Sequence, residues 1–442
     1  MPKIVRILLL IGLLMTALVA IQTQAASPSR VVVLEVKGTV NPVLVGYIER
    51  GIERAEEINA TVCIIQLDTP GGLDTAMRDI IQHIVNAKVP VVVYVSPSGA
   101  RAASAGAFIA MAAHVAVMAP NTTIGAASPV AMGTEGEAEM SETMKAKVLN
   151  DAAAYIRSLA ETHGRNVEWA EKAVREAVSA TEQEALELNV IDLIAPDLDN
   201  LITQLNGRQV TLLDGKTVTI NTQAFTISQV EMTLIEDFLY TISDPNIAYI
   251  LLSLAMMGII VELSSPGLIF PGVVGGICLL LAFYSLGMLP VHWAGVLLIV
   301  LAFGLFIAEV LTTTFGLFTA GGITSLVIGS LILFKGGSPL FRVDPWLIAT
   351  VTIIITALFA FVISQVIRVH RRQATTGREE LEGKTAVVKV AMEPEGTVLY
   401  KGERWIAVSQ SGRIELGEEV IITGIDGLTL QVIKKSTEEV NK

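Results

Sequence analysis

A run of small residues from Ser98 to Phe108 places one hydroxyl, that of Ser104, where a predicted strand gives way to a predicted helix. The segment Pro90–Val95 is apolar and reads as a buried strand, and Ala105–Ala113 reads as a helix of small residues. The first N–H groups of a helix have no intrahelical acceptor and stabilise negative charge. Ser104 is therefore a candidate nucleophile, with the N–H of Ala105 as an oxyanion donor. The structural alternative is a tightly packed helix of alanine, glycine and serine with no chemistry.

Two further turns follow strands in the same way. Thr69-Pro70-Gly71-Gly72 ends the apolar segment Val62–Leu67, and a turn containing Pro120 and Asn121 ends a third such segment. Glycine leaves backbone N–H groups unscreened by side chains. Gly71 and Gly72 are therefore further candidates for the oxyanion hole.

These three motifs, in this order, resemble the ClpP/crotonase superfamily and specifically its ClpP-class serine proteases. Along nearly its whole length the chain is similar to the long-form NfeD family, membrane serine proteases encoded beside stomatin-like proteins. The resemblance implies an α/β ClpP/crotonase-like domain with Ser104 as nucleophile and Gly71, Gly72 and Ala105 around the oxyanion. One departure is informative. The position that carries the catalytic histidine in ClpP corresponds to about Ala127 here, and the adjacent Ser128 is no strong base.

A lysine replaces the histidine in NfeD-type relatives, which gives a Ser-Lys variant of nucleophile activation. Two lysines are candidates within the helix predicted around residues 142–163. Helical periodicity favours Lys145, which shares a face with Val148 and Ala152. The family pattern instead selects Lys147, followed three residues later by Asn150 and then by Tyr155 and Ile156. We follow the family and expect Lys147 to be the base, which requires an apolar environment that favours the neutral amine.

Composition restricts the class of protein. The chain has 442 residues, of which 52% are hydrophobic, and a formal net charge of −12. This apolar content predicts membrane spans, and the acidic balance argues against nucleic-acid binding. The two cysteines, Cys63 and Cys278, lie in different predicted elements and are not expected to form a disulfide. The sequence has no metal-ligand spacing or nucleotide fingerprint, so we expect no cofactor and no metal.

The domain organisation follows from hydropathy and turn signals. Residues 1–25 predict a secretory signal peptide, with an uncleaved anchor as the alternative. A ClpP-class protease domain is predicted over 30–197, a connecting hairpin and juxtamembrane helix over 198–245, and a multi-span helical membrane domain of four or five helices over 246–368. Five short strands over 381–435 resemble the small all-β OB-like barrel that ends NfeD proteins.

The sequence also predicts an orientation. The signal segment would send Ser104 across the membrane, and the basic cluster of Arg368, Arg371 and Arg372 would hold the last span's end in the cytoplasm. Five crossings would then place the barrel in the cytoplasm and the protease domain outside it.

The expected function is that of a multi-pass membrane serine endopeptidase. By resemblance its substrate is an apolar segment of a membrane protein, with a stomatin-like protein as substrate or partner. We also expect a homo-oligomer and no nucleic-acid partner. One alternative is a non-enzymatic scaffold that organises stomatin-type assemblies. Crotonase-like acyl-CoA chemistry is disfavoured by the secretion signal and by the serine at position 104.

Overall fold

The computed structural model describes residues 29–129, 141–264, 267, 269–312, 316–334, 341–370 and 381–435. The predicted signal segment, residues 1–25, lies outside the described residues, as do Arg371 and Arg372 of the basic cluster. The chain forms two compact units, residues 1–309 with 314–354 and residues 310–313 with 355–442.

The first unit begins with an α/β domain in which strands and helices alternate. In chain order its elements are β1 (Ser29–Lys37), α1 (Pro42–Glu57), β2 (Val62–Asp68), α2 (Asp74–Val85), β3 (Val91–Val95), β4 (Arg101–Ala103), α3 (Ala105–Ala112), β5 (Val115–Met118), β6 (Thr123–Gly125), α4 (Glu142–Thr162), α5 (Val167–Arg175), β7 (Ser179–Thr181), α6 (Glu182–Glu187), β8 (Leu193–Ile194), α7 (Leu198–Leu205), β9 (Gln209–Thr211), β10 (Thr217–Thr219), β11 (Phe225–Val230) and α8 (Leu234–Ile242).

A six-stranded sheet in the order β11-β1-β2-β3-β5-β8 forms the centre of this domain. Every pairing within it is parallel. All five residues of β3 are buried, as expected for a parallel strand covered on both faces. The side chains of β1 alternate accordingly between two hydrophobic clusters. Val32 and Leu34 join the cluster that includes α1 to α5, whereas Val31 and Val33 join the cluster that includes α7.

A second, three-stranded sheet in the order β4-β6-β7 lies beside Ser104. Its strands have three residues each, too short to be recognised by hydrophobic periodicity. Strand β7 leads directly into α6, where Thr181 and Glu184 form a capping box.

Residues 198–230, which the sequence suggested as part of a connector, complete the large sheet. The predicted hairpin forms as β9 and β10, which pair in antiparallel register around Asp214 and Gly215. Strand β11 then pairs with β1, from Ser29 opposite Phe225 to Leu34 opposite Val230. The sequence FTISQV of β11 is mostly polar or exposed, which suits an edge strand and conceals it from a search for apolar runs.

Five apolar helices follow: α9 (Pro245–Ser264), α10 (Phe270–Met288), α11 (Trp293–Leu311), α12 (Leu317–Leu333) and α13 (Pro345–His370). Within the described residues, four of them are long and apolar enough to cross a membrane, and α12 is shorter. Small residues let neighbouring helices approach closely. A Cβ added at Gly275 would lie 2.9 Å from the backbone nitrogen of Ile259, so α9 and α10 pack backbone to backbone there.

The second unit contains a closed five-stranded barrel, as the sequence predicts. Its strands are β12 (Thr385–Val390), β13 (Glu395–Tyr400), β14 (Glu403–Ser409), β15 (Glu419–Asp426) and β16 (Thr429–Lys434), and they close in the order β12-β13-β14-β16-β15. Val388, Val398, Ile422 and Leu430 are fully buried inside it. Closure leaves no open sheet edge in this small domain.

Candidate active site

Ser104 occupies a strained backbone position between β4 and α3. Its φ is 53° and its ψ is −116°, a conformation that residues with a side chain rarely adopt. Such a position costs on the order of 1–3 kcal/mol and persists only where surrounding contacts impose it. The residue is partly exposed, whereas Ala105 immediately after it is buried. The strained turn thus presents one hydroxyl at the positive end of a helix.

Hydrogen bonds from two neighbouring segments impose this turn. The Ser104 N–H donates to the carbonyl of Gly125 at 3.0 Å. On the other side, Thr69 pairs with Ala102: its N–H donates to the carbonyl of Arg101 at 2.8 Å, and its carbonyl accepts from the Ala103 N–H at 3.1 Å. The three sequence motifs therefore meet at Ser104, since Thr69 begins the glycine turn and Gly125 follows the third strand.

The two glycines of the upstream turn are required by close packing. A Cβ at Gly71, where φ is +117°, would lie 2.6 Å from the Cβ of Ser104. A Cβ at Gly72 would lie 2.1 Å from the carbonyl oxygen of Val40. Neither position has room for a side chain. The turn therefore approaches Ser104 on one side and the segment after β1 on the other.

The donors around Ser104 are not equivalent. The Gly71 N–H donates to the hydroxyl of Thr69 at 3.0 Å and is already engaged. Across the part of the chain that the structure describes, the Gly72 N–H has no acceptor. The Ala105 N–H lies in the first turn of α3 and has no intrahelical acceptor. Two free donors, from Gly72 and Ala105, thus belong to the segments that meet at Ser104. Thr69 was not singled out from the sequence, although a threonine two residues before a glycine is a known turn pattern.

The downstream turn supplies no base. Ala127 is 2% exposed, and its N–H donates to the carbonyl of Ala173. The hydroxyl of Ser128 donates to the carbonyl of Val174. Among the histidines whose side chains the structure describes, none makes a hydrogen bond with Ser104; His114 and His163 contact each other at the opposite end of α3.

Lys147 is exposed on the second turn of α4. The structure does not bring it into hydrogen-bond contact with Ser104, and within the described residues it has no ion-pair partner. Lys145 is also exposed and lies 3.5 Å from the carboxylate of Glu142. Leu149 is the first residue of α4 packed against the core and Ala152 is the first buried one, so the first two turns of this helix are exposed. The assignment of the base to Lys147 stays a prediction.

The direction of α4 places Lys147 towards the N-terminal end of α3, where Ser104 lies. The rings of Phe108 and Tyr155 stack with centroids 6.1 Å apart, and His114 contacts His163 beyond the far ends of both helices. The two helices therefore run side by side in the same direction. Lys147 lies two turns before Tyr155, beyond the level of Ser104.

The face of α4 that carries Lys147 is also linked to α2. Asp151, one turn after Lys147, forms an ion pair with Arg78 at 2.5 Å. Arg78 also pairs with Asp74 at the start of α2, two residues after Gly72. This face of α4 therefore borders the helix that follows the glycine turn.

The opposite end of α3 is closed by a buried arginine that sequence analysis did not identify. The guanidinium of Arg165 donates to the carbonyls of Ala110, Met111 and Ala113, and it pairs with Asp192 at 2.7 Å. A cation at this position complements the negative end of a helix. Burial lowers the pKa of Arg165, which Asp192 opposes.

The two histidines beside this arginine are held neutral. Burial, with a smaller effect of the Arg165 charge, lowers the pKa of both His114 and His163 to about 4. The Nδ1 of His114 accepts a hydrogen bond from the Val91 N–H. Both histidines are therefore neutral at pH 7, and they lie at the end of α3 remote from Ser104.

Comparison with known protein families gives three matches along the chain. Residues 30–207 match the NfeD1b N-terminal domain, residues 246–365 match the NfeD integral membrane domain, and residues 378–434 match the NfeD-like C-terminal, partner-binding domain. Together these matches cover the α/β domain up to α7, most of the membrane helices and the barrel.

Individual relatives agree with this organisation. The chain is 39% identical over 432 residues to the membrane-bound protease PH1510 of Pyrococcus horikoshii, covering 96% of this chain and 98% of the relative. It is 27% identical over 455 residues to the membrane protein NfeD1b of Bacillus subtilis, covering 96% and 97% of the two chains. A solved structure of the 1510-N membrane-bound stomatin-specific protease, a lysine-to-alanine variant with a substrate peptide, matches with a TM-score of 0.45 and 36% identity, covering 49% of this chain and 98% of that one.

Proposed function

This chain belongs to the NfeD family and is a membrane-bound protease, and on that basis we propose that it is an endopeptidase with Ser104 as nucleophile and Lys147 as base. The hydroxyl of Ser104 attacks a peptide carbonyl and forms a tetrahedral intermediate, and Lys147 accepts the hydroxyl proton. The free N–H groups of Gly72 and Ala105 stabilise the oxyanion. Gly71, whose N–H is engaged by Thr69, gives the turn its shape.

The observation that carries this proposal is the conformation of Ser104. A strained serine with φ of 53° stands at the start of α3, against a glycine turn whose approach requires the absence of side chains. A packing role does not explain this strain, because glycine would fill the position without it. Strain of this kind concentrates at catalytic positions.

The surroundings of Lys147 indicate how it becomes a base. Met144, Lys147, Val148 and Asp151 fall within about 100° of one another on α4. Met144 and Val148 are 48% and 39% exposed, unusually high for large apolar side chains. The carboxylate of Asp151 is occupied by Arg78. We propose that an apolar substrate segment covers Met144 and Val148, removes water from Lys147 and favours its neutral form.

The proposed substrate is therefore an apolar segment of a membrane protein, and the proposed partner is a stomatin-like protein. The relative 1510-N is described as stomatin-specific, and the barrel matches a partner-binding domain. An apolar peptide would cover the exposed side chains of Met144 and Val148, and the backbone N–H of Gly72 would bind a peptide carbonyl without a charged recognition group.

The test uses the full-length protein in detergent with a fluorogenic peptide that contains an apolar segment. Ser104→Ala should abolish hydrolysis, and Lys147→Ala should reduce it by orders of magnitude, because each removes a group that acts in the transition state. Lys145→Ala is the matched control, since it removes the same charge two residues away. Equal tolerance of Lys147→Ala and Lys145→Ala would remove lysine from the mechanism. Hydrolysis by folded Ser104→Ala would exclude Ser104 as the nucleophile, whereas binding of a stomatin-like partner without any hydrolysis by the wild type would favour the scaffold.

The orientation of the domains is a second part of the proposal. We propose that the protease domain faces the extracytoplasmic side and the barrel the cytoplasm. Asn206→Cys and Ser411→Cys, placed singly in a Cys63→Ala, Cys278→Ala background, should differ in labelling by a membrane-impermeant thiol reagent on intact cells. Labelling at position 206 alone is expected. Labelling at both positions would mean an even number of crossings.

A further inference from the structure

The juxtamembrane helix α8 is fixed between the membrane helices and the protease domain. At its end, the carbonyl of Ile242 accepts a hydrogen bond from the hydroxyl of Ser285 on α10. At its start, Glu236 forms a bidentate ion pair with Arg50 on α1, at 2.6 and 3.0 Å. The helix is therefore joined at one end to a membrane helix and at the other end to the α/β domain.

A second contact joins α8 to the segment that follows β1. The hydroxyl of Tyr240 donates to the carbonyl of Lys37 at 2.9 Å and lies 3.4 Å from the carbonyl of Thr39. Gly38 lies between them with φ of +101°, and a Cβ there would be 2.3 Å from the Tyr240 oxygen. Because Gly38 has no side chain, there is room for the Tyr240 hydroxyl beside it. Burial raises the pKa of Tyr240 to about 12, so the phenol remains a donor at neutral pH.

The segment that Tyr240 holds also forms one side of the glycine turn. The Val40 N–H donates to the carbonyl of Gly71 at 2.9 Å, and the Val40 carbonyl accepts from the Leu73 N–H at 2.9 Å. The contact between Gly72 and Val40 is so close that no side chain fits. Val40 therefore fixes the peptide plane on each side of Gly72, whose free N–H is the proposed oxyanion donor.

The contacts of this segment differ on its two sides. The Gly38 N–H donates to the carbonyl of Asp68 at 2.9 Å, which joins the segment to β2. On the side of α8, a cavity of about 290 Å³ lies between the end of β1 and α8, lined by residues that include Lys37, Tyr47, Val230 and Tyr240, and the Tyr240 hydroxyl restrains residues 37–39 there. Its removal should loosen Val40 and, with it, the glycine turn.

We propose that Tyr240 is a positioning residue that couples the juxtamembrane helix α8 to the Gly71–Gly72 turn. Tyr240 touches neither substrate nor Ser104; it acts through Gly38, Thr39 and Val40 on the orientation of the Gly72 N–H. A shift of α8, imposed by the membrane helices, would change the oxyanion hole and hence the turnover rate. This inference rests on the proposed role of Gly72 in catalysis.

Tyr240→Phe in the full-length protein tests the coupling, because it removes one oxygen and retains the ring. Loss of an oxyanion donor costs about 10²–10³ in kcat, and a loosened donor should cost less, so kcat should fall about tenfold with KM within about twofold. Hydrogen exchange of peptides covering residues 38–44 and 70–77 should become faster, since the Val40 and Leu73 amides lose their restraint.

Tyr47→Phe is the matched control. The Tyr47 hydroxyl donates to the carbonyl of Val230 and accepts from the Glu35 N–H, so the same atom is lost beside the same strand without a contact to residues 37–39. We expect its kcat and its exchange in both peptides to stay within twofold of wild type. Equal loss of kcat in both variants, or unchanged exchange in Tyr240→Phe, would overturn the coupling.

The exchange measurement separates this inference from the proposed function. If Ser104→Ala were as active as wild type, the nucleophile would be wrong, and exchange in Tyr240→Phe would still decide whether α8 restrains the turn. If Ser104→Ala were inactive while Tyr240→Phe exchanged faster at an unchanged kcat, the positioning role would be wrong and the catalytic proposal would stand.

Discussion

The two ends of helix α3 are built in opposite ways. At its start, Ser104 is strained and partly exposed, and within the described residues the N–H groups of Ala105 and Gly72 have no acceptor. At its end, Arg165 donates hydrogen bonds to three backbone carbonyls and forms an ion pair with Asp192. The contrast shows how an eight-residue helix can keep unpaired donors at one end, because the other end is fixed by buried hydrogen bonds.

The largest expected effect comes from replacing Ser104, at the start of α3. Ser104→Gly should lower hydrolysis by about 10³-fold or more, because the nucleophile is lost. It should also raise the free energy of unfolding by about 1 kcal/mol, since glycine adopts a positive φ without strain. Activity on a fluorogenic peptide and pulse proteolysis in urea measure the two quantities. Ser104→Ala is the control, with the same loss of activity and no gain in stability. A Ser104→Gly protein less stable than Ser104→Ala would show that the turn is not strained.

The second-largest expected effect is on the free energy of unfolding, and it comes from Arg165 at the end of α3. Arg165→Met should lower the free energy of unfolding of the α/β domain by about 3–5 kcal/mol, because it leaves Asp192 and three carbonyls without their buried partner. Arg157→Met makes the same change at a solvent-exposed ion pair with Glu171 and should cost less than about 1 kcal/mol. Urea unfolding of both variants in detergent provides the comparison. Similar small losses in both would mean that Arg165 does not hold the closed end.

A smaller and pH-dependent effect is expected from the two histidines. Their pKa of about 4 in the fold lies below the ordinary value of 6.5. The unfolded chain therefore binds more protons between pH 6.5 and pH 4, and stability should fall as the pH falls through this range. The loss is on the order of 3 kcal/mol per histidine at its limit. The groups facing the pair are Arg165 and Asp192.

His163→Leu sharpens this test. Among the residues that the structure describes, the buried Nε2 of His163 has no hydrogen-bond partner, so leucine removes an unsatisfied atom along with the titration. The variant should be at least as stable as wild type at pH 7 and should lose less stability between pH 6.5 and pH 4. An unchanged pH dependence would show that His163 does not titrate in this range.

Much of the architecture could be predicted because it depends on local patterns of apolar, small and turn-forming residues. The apolar runs at Val62 and Val91 gave the central strands, and the helix after Ser104 was predicted from its small residues. The hairpin at Asp214-Gly215 and the short glycine-bounded strands of the barrel were equally visible. Strands β4, β6, β7 and β11 were missed because they are short or polar and are stabilised by partners distant in sequence.

The sequence by itself determined that Ser104, Gly72 and Ala105 stand at strand-to-helix turns, since residue order and glycine content are local properties. It also set Lys145 and Lys147 on different faces of one helix, with the choice between them resting on family pattern. Only the tertiary structure decided that the Gly71 N–H is occupied by Thr69, that Arg165 closes α3, and that Tyr240 reaches Thr39 across 201 positions of the chain. Such contacts have no periodic signature, because they form where separate elements meet and their partners are chosen by packing.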